Sequence, residues 1–437
     1  MKRTLSSQLS QHIGKTVRLQ GWLHKKRVMG GLVFVVLRDR GGLVQIVVTD
    51  EKEQAKLQGL LNGTILDVSG TVKAEPRAAG GAEIHDPKIS VEVPISEAPP
   101  IEIDKPIDHN SENFDTLFDN RMLGLRNPTE QGIFRVQAAV AESLRESLSE
   151  QDFVEIHTPK LLADATEGGA EVFKLDHFGQ TATLAQSPQF YKQMMVGVFE
   201  RVYEIAPVYR AEPSMTTRHM SEYISVDAEM GFITGFSDVT DLLSALLNGV
   251  ADSLWKNLEP ELKALKATKP KLTAKIPEIS MAEVHQRYSE ATKKNTIGEK
   301  DLFPAEERWI CEYSAEHLGS DAVFVTDWPA SEMKFYHYKN PKDPTLAVRA
   351  DLLFRGVEIV TASQREHRYD VLIQQLKAIG GDPDSPGFHA FLKAFKYGMP
   401  PHGGFGLGLE RLSQKMIGLS SVKEASLFPR DTQRLAP

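Results

Sequence analysis

Apolar and polar positions alternate along Val17-Arg-Leu-Gln-Gly-Trp-Leu23 and again from Leu43 to Val48, on either side of a β-branched, apolar run from Leu32 to Arg38. A period of two sends successive side chains to opposite faces of a strand, so this pattern predicts three strands, with a turn at Arg40-Gly41-Gly42. A polar helical stretch from Asp50 to Leu61 precedes two more strands, near Thr64–Lys73 and Ile89–Ile95. Prolines then cluster between Pro94 and Pro106, and Asp115 to Asn127 is polar, which predicts a linker over residues 101–130 running extended across the surface. Beyond it the period changes. Ile133, Val136, Val140, Leu144 and Leu148 recur at spacings of three and four, the stripe of an amphipathic helix. Asp152 to Pro159 reads as a strand stopped by proline, and Val239 to Leu258 as a second helix. Lysines crowd both sides of Pro270 between Leu262 and Ile276, which predicts a surface excursion without chemistry of its own.

The order β-β-β-α-β-β over residues 1–100 is that of an OB-fold barrel. Parity assigns Val33, Val35 and Leu37 to its inside and Phe34, Val36 and Arg38 to its outside, with Gln45 opposing Val44 and Ile46. An outward aromatic beside an amide and arginines suits stacking on unpaired bases, although a phenylalanine packed under a loop gives the same pattern. The remaining residues, 131–437, form an α+β domain large enough to bury a core of its own.

Charge changes the picture only through its distribution. The formal net charge of −8 by itself argues against a nucleic-acid partner. Residues 1–100, however, hold 14 Lys and Arg against 10 Asp and Glu, leaving 37 against 49 for the rest, and Lys25-Lys26-Arg27 concentrates the positive charge. The single cysteine, Cys311, excludes an internal disulfide framework and a thiolate zinc site. No apolar run is long enough to span a membrane, and Met-Lys-Arg-Thr-Leu-Ser-Ser lacks a signal-peptide core, so a cytoplasmic protein without a membrane partner is expected.

Four stretches carry candidate chemistry. In Tyr397 to Arg411, Gly404, Gly406 and Gly408 alternate with apolar residues, baring one face of the backbone to a flat ligand or to a close packing contact, and Arg411 follows as a phosphate partner. Arg201 to Glu212 and Tyr223 to Glu229 read as a hairpin whose loop holds Arg210, Glu212, Arg218 and His219. Asp351 to Arg365 is strand-like and carries Asp351, Glu358 and Thr361, hard oxygen donors that suit Mg²⁺ shared with substrate phosphates or, equally, a buried acid–arginine pair. Gln186-Ser-Pro-Gln189-Phe-Tyr-Lys192, with Glu167-Gly168-Gly169 upstream, adds a cation, amides and an acidic loop.

Together these resemble the class II aminoacyl-tRNA synthetases: Ser149–Pro159 is similar to their motif 1, Arg210-Ala-Glu212 to motif 2 and Gly404–Arg411 to motif 3, in the family's order. The barrel with Gly21-Trp22, Phe34 and Gln45 resembles the subgroup serving aspartate, asparagine and lysine. Gln186 to Lys192 with Gln364-Arg365 resembles the aspartyl-tRNA synthetases in their compact form. The fold implied is a barrel joined to an antiparallel sheet flanked by helices.

The activity implied is ATP-dependent attachment of L-aspartate to tRNA through aspartyl-adenylate, with Arg210, Arg411 and Glu358 as the catalytic set. By the same resemblance, ATP is bound by Arg210, Glu212, Arg218, His219, Met220, Tyr223, Glu358, Gly406, Gly408, Leu409 and Arg411. Aspartate is bound by Glu167, Gln189, Lys192, Arg210, Thr361 and Arg365, with Lys192 and Arg365 as two opposed cations on its side-chain carboxylate. Mg²⁺ is bound by Glu358, Thr361 and Asp351; Thr361 stands where the family more often has serine, and keeps the hydroxyl. Phe34 and Gln45 read the central anticodon base. His24 and Ala79 replace a tryptophan and a lysine of enzymes strict for the aspartate tRNA, which implies charging of asparagine tRNA as well, with a tRNA-dependent amidotransferase to follow, unless Arg77 or Lys73 takes the lysine's place. A homodimer is implied too, with the Ile133–Leu148 stripe and Pro159 as its apolar surface. Two other functions remain: an amidoligase of the asparagine-forming kind, which the barrel disfavours, and a catalytically dead paralogue, which the intact set of arginines disfavours.

Overall fold

A computed structural model describes residues 1–107, 114–163, 171–213 and 216–437, and the chain divides into two compact units, Met1–Gln131 and Gly132–Pro437. In the first, β1 (Thr16–Met29), β2 (Leu32–Asp39), β3 (Gly42–Val48), β4 (Ile65–Ala74) and β5 (Ala82–Val93) close a barrel in the order β1-β2-β3-β5-β4. The period of two closes it: Leu19, Leu23, Val35, Leu37, Ile46, Leu66 and Val68 fill the interior with no exposed surface. The helix over Glu51–Leu57 starts where Asp50 accepts the Lys52 N–H at 2.8 Å.

Two expectations change here. Strand β5 begins at Ala82, well before Ile89, because the chain passes Asp86-Pro87 with Asp86 at φ 49° and keeps its pairing with β4 across a bulge. That dipeptide reads as a turn in sequence alone. Nor is Asp115–Asn127 extended. It forms helices Phe114–Asp119 and Arg121–Gly124, with Leu117 and Phe118 buried and Arg121 fully buried against Glu130 at 3.3 Å. The polar composition hid a segment whose arginine is neutralised inside the unit.

The second unit adds β6 (Val154–Glu155), β7 (Leu161–Leu162), β8 (Lys174–His177), β9 (Gln180–Leu184), β10 (Arg201–Tyr209), β11 (Glu222–Gly231), β12 (Glu278–Ser280), β13 (Ala322–Pro329), β14 (Leu346–Phe354), β15 (Val357–Arg365) and β16 (His402–Gly408). Eight of them make one sheet, β12-β13-β14-β15-β16-β11-β10-β6, antiparallel from β13 to β10 with parallel partners at both edges. Strands β7, β9 and β8 form a small separate sheet. The run Asp351–Arg365 is the end of β14 and all of β15, folded over a tight turn at Arg355-Gly356 in which both residues have positive φ.

Helices Pro128–Ser149 and Ser237–Asn257 pack on the sheet, and this overturns the surface expected for a dimer. Ile133, Val136, Val140, Leu144 and Leu148 are at most 1% exposed within one chain, because Leu243, Leu247, Val250 and Leu254 of the second helix share their core. The lysine-rich stretch packs Leu262, Leu265, Leu272 and Ile276 on that core, while Lys269 pairs with Asp252 at 2.9 Å and Lys275 with Asp241 at 3.1 Å. Its charge is therefore largely matched by its own chain. Among the described residues no helix is long and apolar enough to cross a membrane.

Candidate active site

The middle of the large sheet forms the floor of a cavity of about 470 Å³. Strand β16 lies between β15 and β11, so Gly406 and Gly408 are set between Thr361 on one side and Asp227 and Ser225 on the other. The three glycines do different jobs. Gly406 and Gly408 line the cavity, whereas Gly404 does not: a Cβ there would fall 2.1 Å from the Ala228 carbonyl oxygen and 2.3 Å from Glu229 Oε2. Both halves of the sequence reading, bare face and close packing, are realised at different glycines.

Of the residues expected to bind ATP, Arg210, Glu212, Arg218, His219, Met220, Tyr223, Glu358, Gly406, Gly408 and Arg411 all line this cavity. Leu409 does not, being buried as the first residue of helix Leu409–Ile417. Arg411, in the first turn of that helix, is braced from two sides: Nε donates to the Arg218 carbonyl at 3.2 Å and Nη1 to the Glu358 carbonyl at 3.0 Å. Its Nη1 also stands 3.5 Å from Glu358 Oε2. The Arg210 guanidinium lies over the Tyr223 ring, 5.8 Å from its centroid. Burial and the nearby Arg411 lower the pKa of His219, so its imidazole is neutral in a cation-rich wall.

Thr361 donates its hydroxyl to Glu358 Oε1 at 2.9 Å, so a carboxylate and a hydroxyl oxygen stand together in the cavity wall. That donor set fits a hard divalent cation that takes its other oxygens from phosphates and water. Asp351 is placed differently. It sits opposite Thr361 on β14, yet does not line the cavity, and Arg349 grips both its oxygens at 2.8–3.2 Å. Burial, with the charge of Glu358 beside it, pushes the Asp351 carboxyl up to about 7 against the pull of Arg349. Burial would raise Glu358 too, but Arg411 and the Thr361 hydroxyl outweigh it and hold Glu358 ionised.

At the other end, Gln189, Lys192, Arg210, Thr361 and Arg365 line the wall, and Glu167 lies outside the described residues. The two cations are not bare. Lys192, 1% exposed, donates to Asp227 at 2.9 Å and to the Phe405 carbonyl at 2.8 Å; Arg365 holds Glu229 through Nε at 2.8 Å and Nη2 at 3.2 Å. Burial works to raise Glu229, but Arg365 and Lys192 together hold it below the usual carboxylate range. These buried acids come from alternate positions on one face of β11, spaced as Asp227-Ala-Glu229, a signal visible in the sequence without a partner assigned to it.

Sequence reasoning missed Glu410, His337 and Arg349, which also line the cavity. Glu410 accepts the Ile224 N–H and is pushed up to about 7 by burial. His337 is buried and held well below its ordinary pKa by desolvation and by Arg365, so it is neutral. His337 and Arg349 stand in no recognisable local pattern, whereas Glu410 lies within the Gly404–Arg411 stretch and was passed over beside Arg411. The thiol of Cys311 is buried and pushed up to about 12, which makes it inert.

On the barrel, Phe34 is half-buried on the outer face, opposite Arg27 and Val47, and Val36 opposes Gln45. Gln45 donates to Glu83 at 2.8 Å, and Glu83 meets His85 at 2.6 Å. Arg38, expected on that face, is withdrawn: it is 6% exposed and lies over the Trp22 ring at 4.6 Å. His24 sits at a bulge between Leu23 and Lys25 and is 6% exposed, with no hydrogen bond to Nδ1 among the described residues. Ala79 is exposed in the turn before β5, where Arg77 is paired with Glu75 at 3.0 Å.

The family model of class II tRNA synthetases (D, K and N) matches residues 113–432, and an OB-fold nucleic acid binding domain matches residues 17–92. The chain belongs to that family of class II synthetases and is thus an aminoacyl-tRNA ligase. It is 43% identical to the aspartate–tRNA(Asp/Asn) ligase of Thermus thermophilus over the full length of both chains. It is 41% identical to the aspartate–tRNA(Asp) ligase of Pyrococcus horikoshii, with 99% of each chain covered. Among solved structures, the asparaginyl-tRNA synthetase of Pyrococcus horikoshii complexed with asparaginyl-adenylate superposes with a TM-score of 0.91 at 31% identity over all of both chains.

Proposed function

We propose that the protein charges tRNA with L-aspartate in two steps, and that it accepts both aspartate and asparagine tRNAs. The observation that carries the first part is one cavity in which a phosphate-binding end, Arg210, Arg218 and Arg411, is continuous with a carboxylate-binding end, Lys192 and Arg365. Aspartate attacks the α-phosphate of ATP, pyrophosphate leaves, and the terminal ribose of tRNA then takes the aspartyl group from the adenylate. No covalent enzyme intermediate is needed, so the side chains act by positioning and by neutralising charge at phosphorus. Arg210 holds the α-phosphate, Arg218, His219 and Arg411 the β- and γ-phosphates, and Tyr223 and Arg411 flank the adenine. Glu358 and Thr361 would hold Mg²⁺, with Asp351 behind them, and the ion would supply positive charge against the phosphates. Lys192 and Arg365 have donors only, so a carboxylate on the substrate accepts from them where the asparagine amide presents N–H groups of its own. Asp227 and Glu229 fix the two cations in place for that choice. Pyrophosphate exchange measured with aspartate, asparagine and lysine tests the reading, and a preference for asparagine or lysine ends it. Absence of exchange with all three would return the dead-paralogue alternative.

Relaxed tRNA choice is supported by His24 and Ala79. A buried imidazole offers no large stacking face, and an alanine carries no cation, contacts worth about 1–3 kcal/mol for each base engaged. Arg77 is paired with Glu75 in a largely exposed contact, and Lys73, exposed near the end of β4, is the other candidate for that cation's place, so Lys73→Ala is the variant to compare in the same assay. Equal amounts of the two transcripts should be aspartylated at comparable rates. A preference above ~100-fold for the aspartate tRNA, about 2.7 kcal/mol, would show discrimination. The aspartylated asparagine tRNA would pass to a separate amidotransferase.

A homodimer is the expected assembly, but through the sheet edge. Val154 on the outer edge strand β6 is 41% exposed, Leu161 is 50% exposed, and Pro159 between them is exposed. An apolar edge of this kind suits an isologous contact. Sedimentation at micromolar concentration should give twice the 48.6 kDa chain mass, and Leu161→Glu should shift it toward monomer. A wild-type protein that stays monomeric contradicts the assembly.

A further inference from the structure

Helix Pro304–Tyr313 belongs to none of the motifs discussed above, yet it delivers one carboxylate to the phosphate end of the cavity. Glu307 Oε2 accepts from Arg218 Nη1 at 2.5 Å, with side-chain exposures of 8% for the glutamate and 24% for the arginine. Arg218 lines the cavity and Glu307 does not, so the carboxylate stands behind the guanidinium and leaves the space in front of it open. Among the described residues, Arg218 Nε and Nη2 have no hydrogen-bond partner.

The helix is itself well fixed. Glu306 accepts the Phe303 N–H at 3.0 Å to cap its start, and also meets His285 at 2.8 Å and Thr296 at 2.6 Å. Ile310 and Cys311 are buried beneath it, and Arg308 lies against Gly356, whose β14–β15 turn leads directly to Glu358. Arg218, by contrast, sits between β10 and β11, where no regular element is found among the described residues. The Arg218 carbonyl in turn accepts from Arg411 Nε at 3.2 Å, so fixing this one residue also bears on the second arginine.

We propose that Glu307 is a positioning residue for adenylate formation: anchored on a fixed helix, it holds the Arg218 guanidinium so that its remaining N–H groups meet the ATP phosphates. A hydrogen bond accepted from one nitrogen orients a planar fork and removes rotamer freedom before ATP arrives. The inference rests on Arg218 being a phosphate ligand, as proposed above.

Steady-state pyrophosphate exchange, varying ATP and aspartate separately, tests it. Glu307→Met, similar in length but without an acceptor, should raise KM for ATP about tenfold and leave KM for aspartate within about twofold. Glu307→Gln, which keeps an oxygen acceptor, should recover most of the loss. Arg218→Ala should also raise KM for ATP, and adding Glu307→Met to it should change nothing further beyond about twofold. If Arg218→Ala raises KM for ATP while Glu307→Met leaves it unchanged, lowers it, or raises both KM values in step, the positioning role is wrong and the phosphate assignment survives. If Arg218→Ala itself leaves KM for ATP unchanged, the phosphate assignment falls and the inference with it. Should Glu307→Met not fold, Glu307→Gln decides: a tenfold rise in KM for ATP there would contradict positioning by an acceptor.

Discussion

Arg411→Ala is expected to lower kcat/KM for aspartate-dependent pyrophosphate exchange by at least ~10²-fold, and Glu358→Ala by a similar factor, the scale for removing one charge contact made in the transition state. Arg411 is poised by its surroundings. Two backbone carbonyls, of Arg218 and Glu358, hold its guanidinium at 3.2 and 3.0 Å, which fixes the fork while leaving it on the cavity wall. Glu358 stays ionised because Arg411 and Thr361 stabilise its charge, whereas its neighbour Asp351 is pushed up to about 7. Removing Glu358 therefore deletes the carboxylate of this pair that lines the cavity, since Asp351 does not line it and is held by Arg349. Exchange close to wild type in both variants would end the catalytic reading of this cavity.

Gly404→Ala is expected to cost about 3 kcal/mol or more of stability and to abolish measurable aspartate binding, because the added methyl has nowhere to go. Its Cβ would lie 2.1 Å from the Ala228 carbonyl oxygen and 2.3 Å from Glu229 Oε2, and Ala228 belongs to the neighbouring strand, so neither strand can retreat without opening the sheet. Displacing Glu229 also disturbs Arg365 and Lys192, which it holds at 2.8 and 3.5 Å. Gly406→Ala makes the contrast: its nearest neighbour, Asp227 Oδ1, is 3.3 Å away, and the methyl would project where the cavity is lined. That variant should keep most of its thermal stability and lose activity. Thermal unfolding and exchange kinetics on the pair separate the two glycines; a Gly404→Ala protein with the wild-type Tm and the wild-type KM for aspartate would refute the packing assignment.

Local order along the chain settles part of this architecture. A period of two along Val17–Leu23 and Leu43–Val48 gives a barrel wall because alternate side chains must find a common inside, and Ile133 to Leu148 forms a helix because spacings of three and four leave one apolar stripe. The cavity residues were legible for a related reason: Arg210, Glu212, Arg218 and His219 stand in the short connection between the paired strands β10 and β11, Glu358 and Thr361 on β15, and Arg411 just past the end of β16. Which partner each side chain meets follows from the folded chain and not from its order. The Ile133 stripe covers its own sheet and not a second subunit, since which apolar face meets which is set by where Ser237–Asn257 packs. Arg38 turns under Trp22, Lys192 and Arg365 are tied to Asp227 and Glu229, and Glu307 reaches Arg218 from 89 residues away. Pairings over such separations leave no period in the chain, because burial and charge neutralisation act on distance in space, and only the folded strands bring those groups within reach of one another.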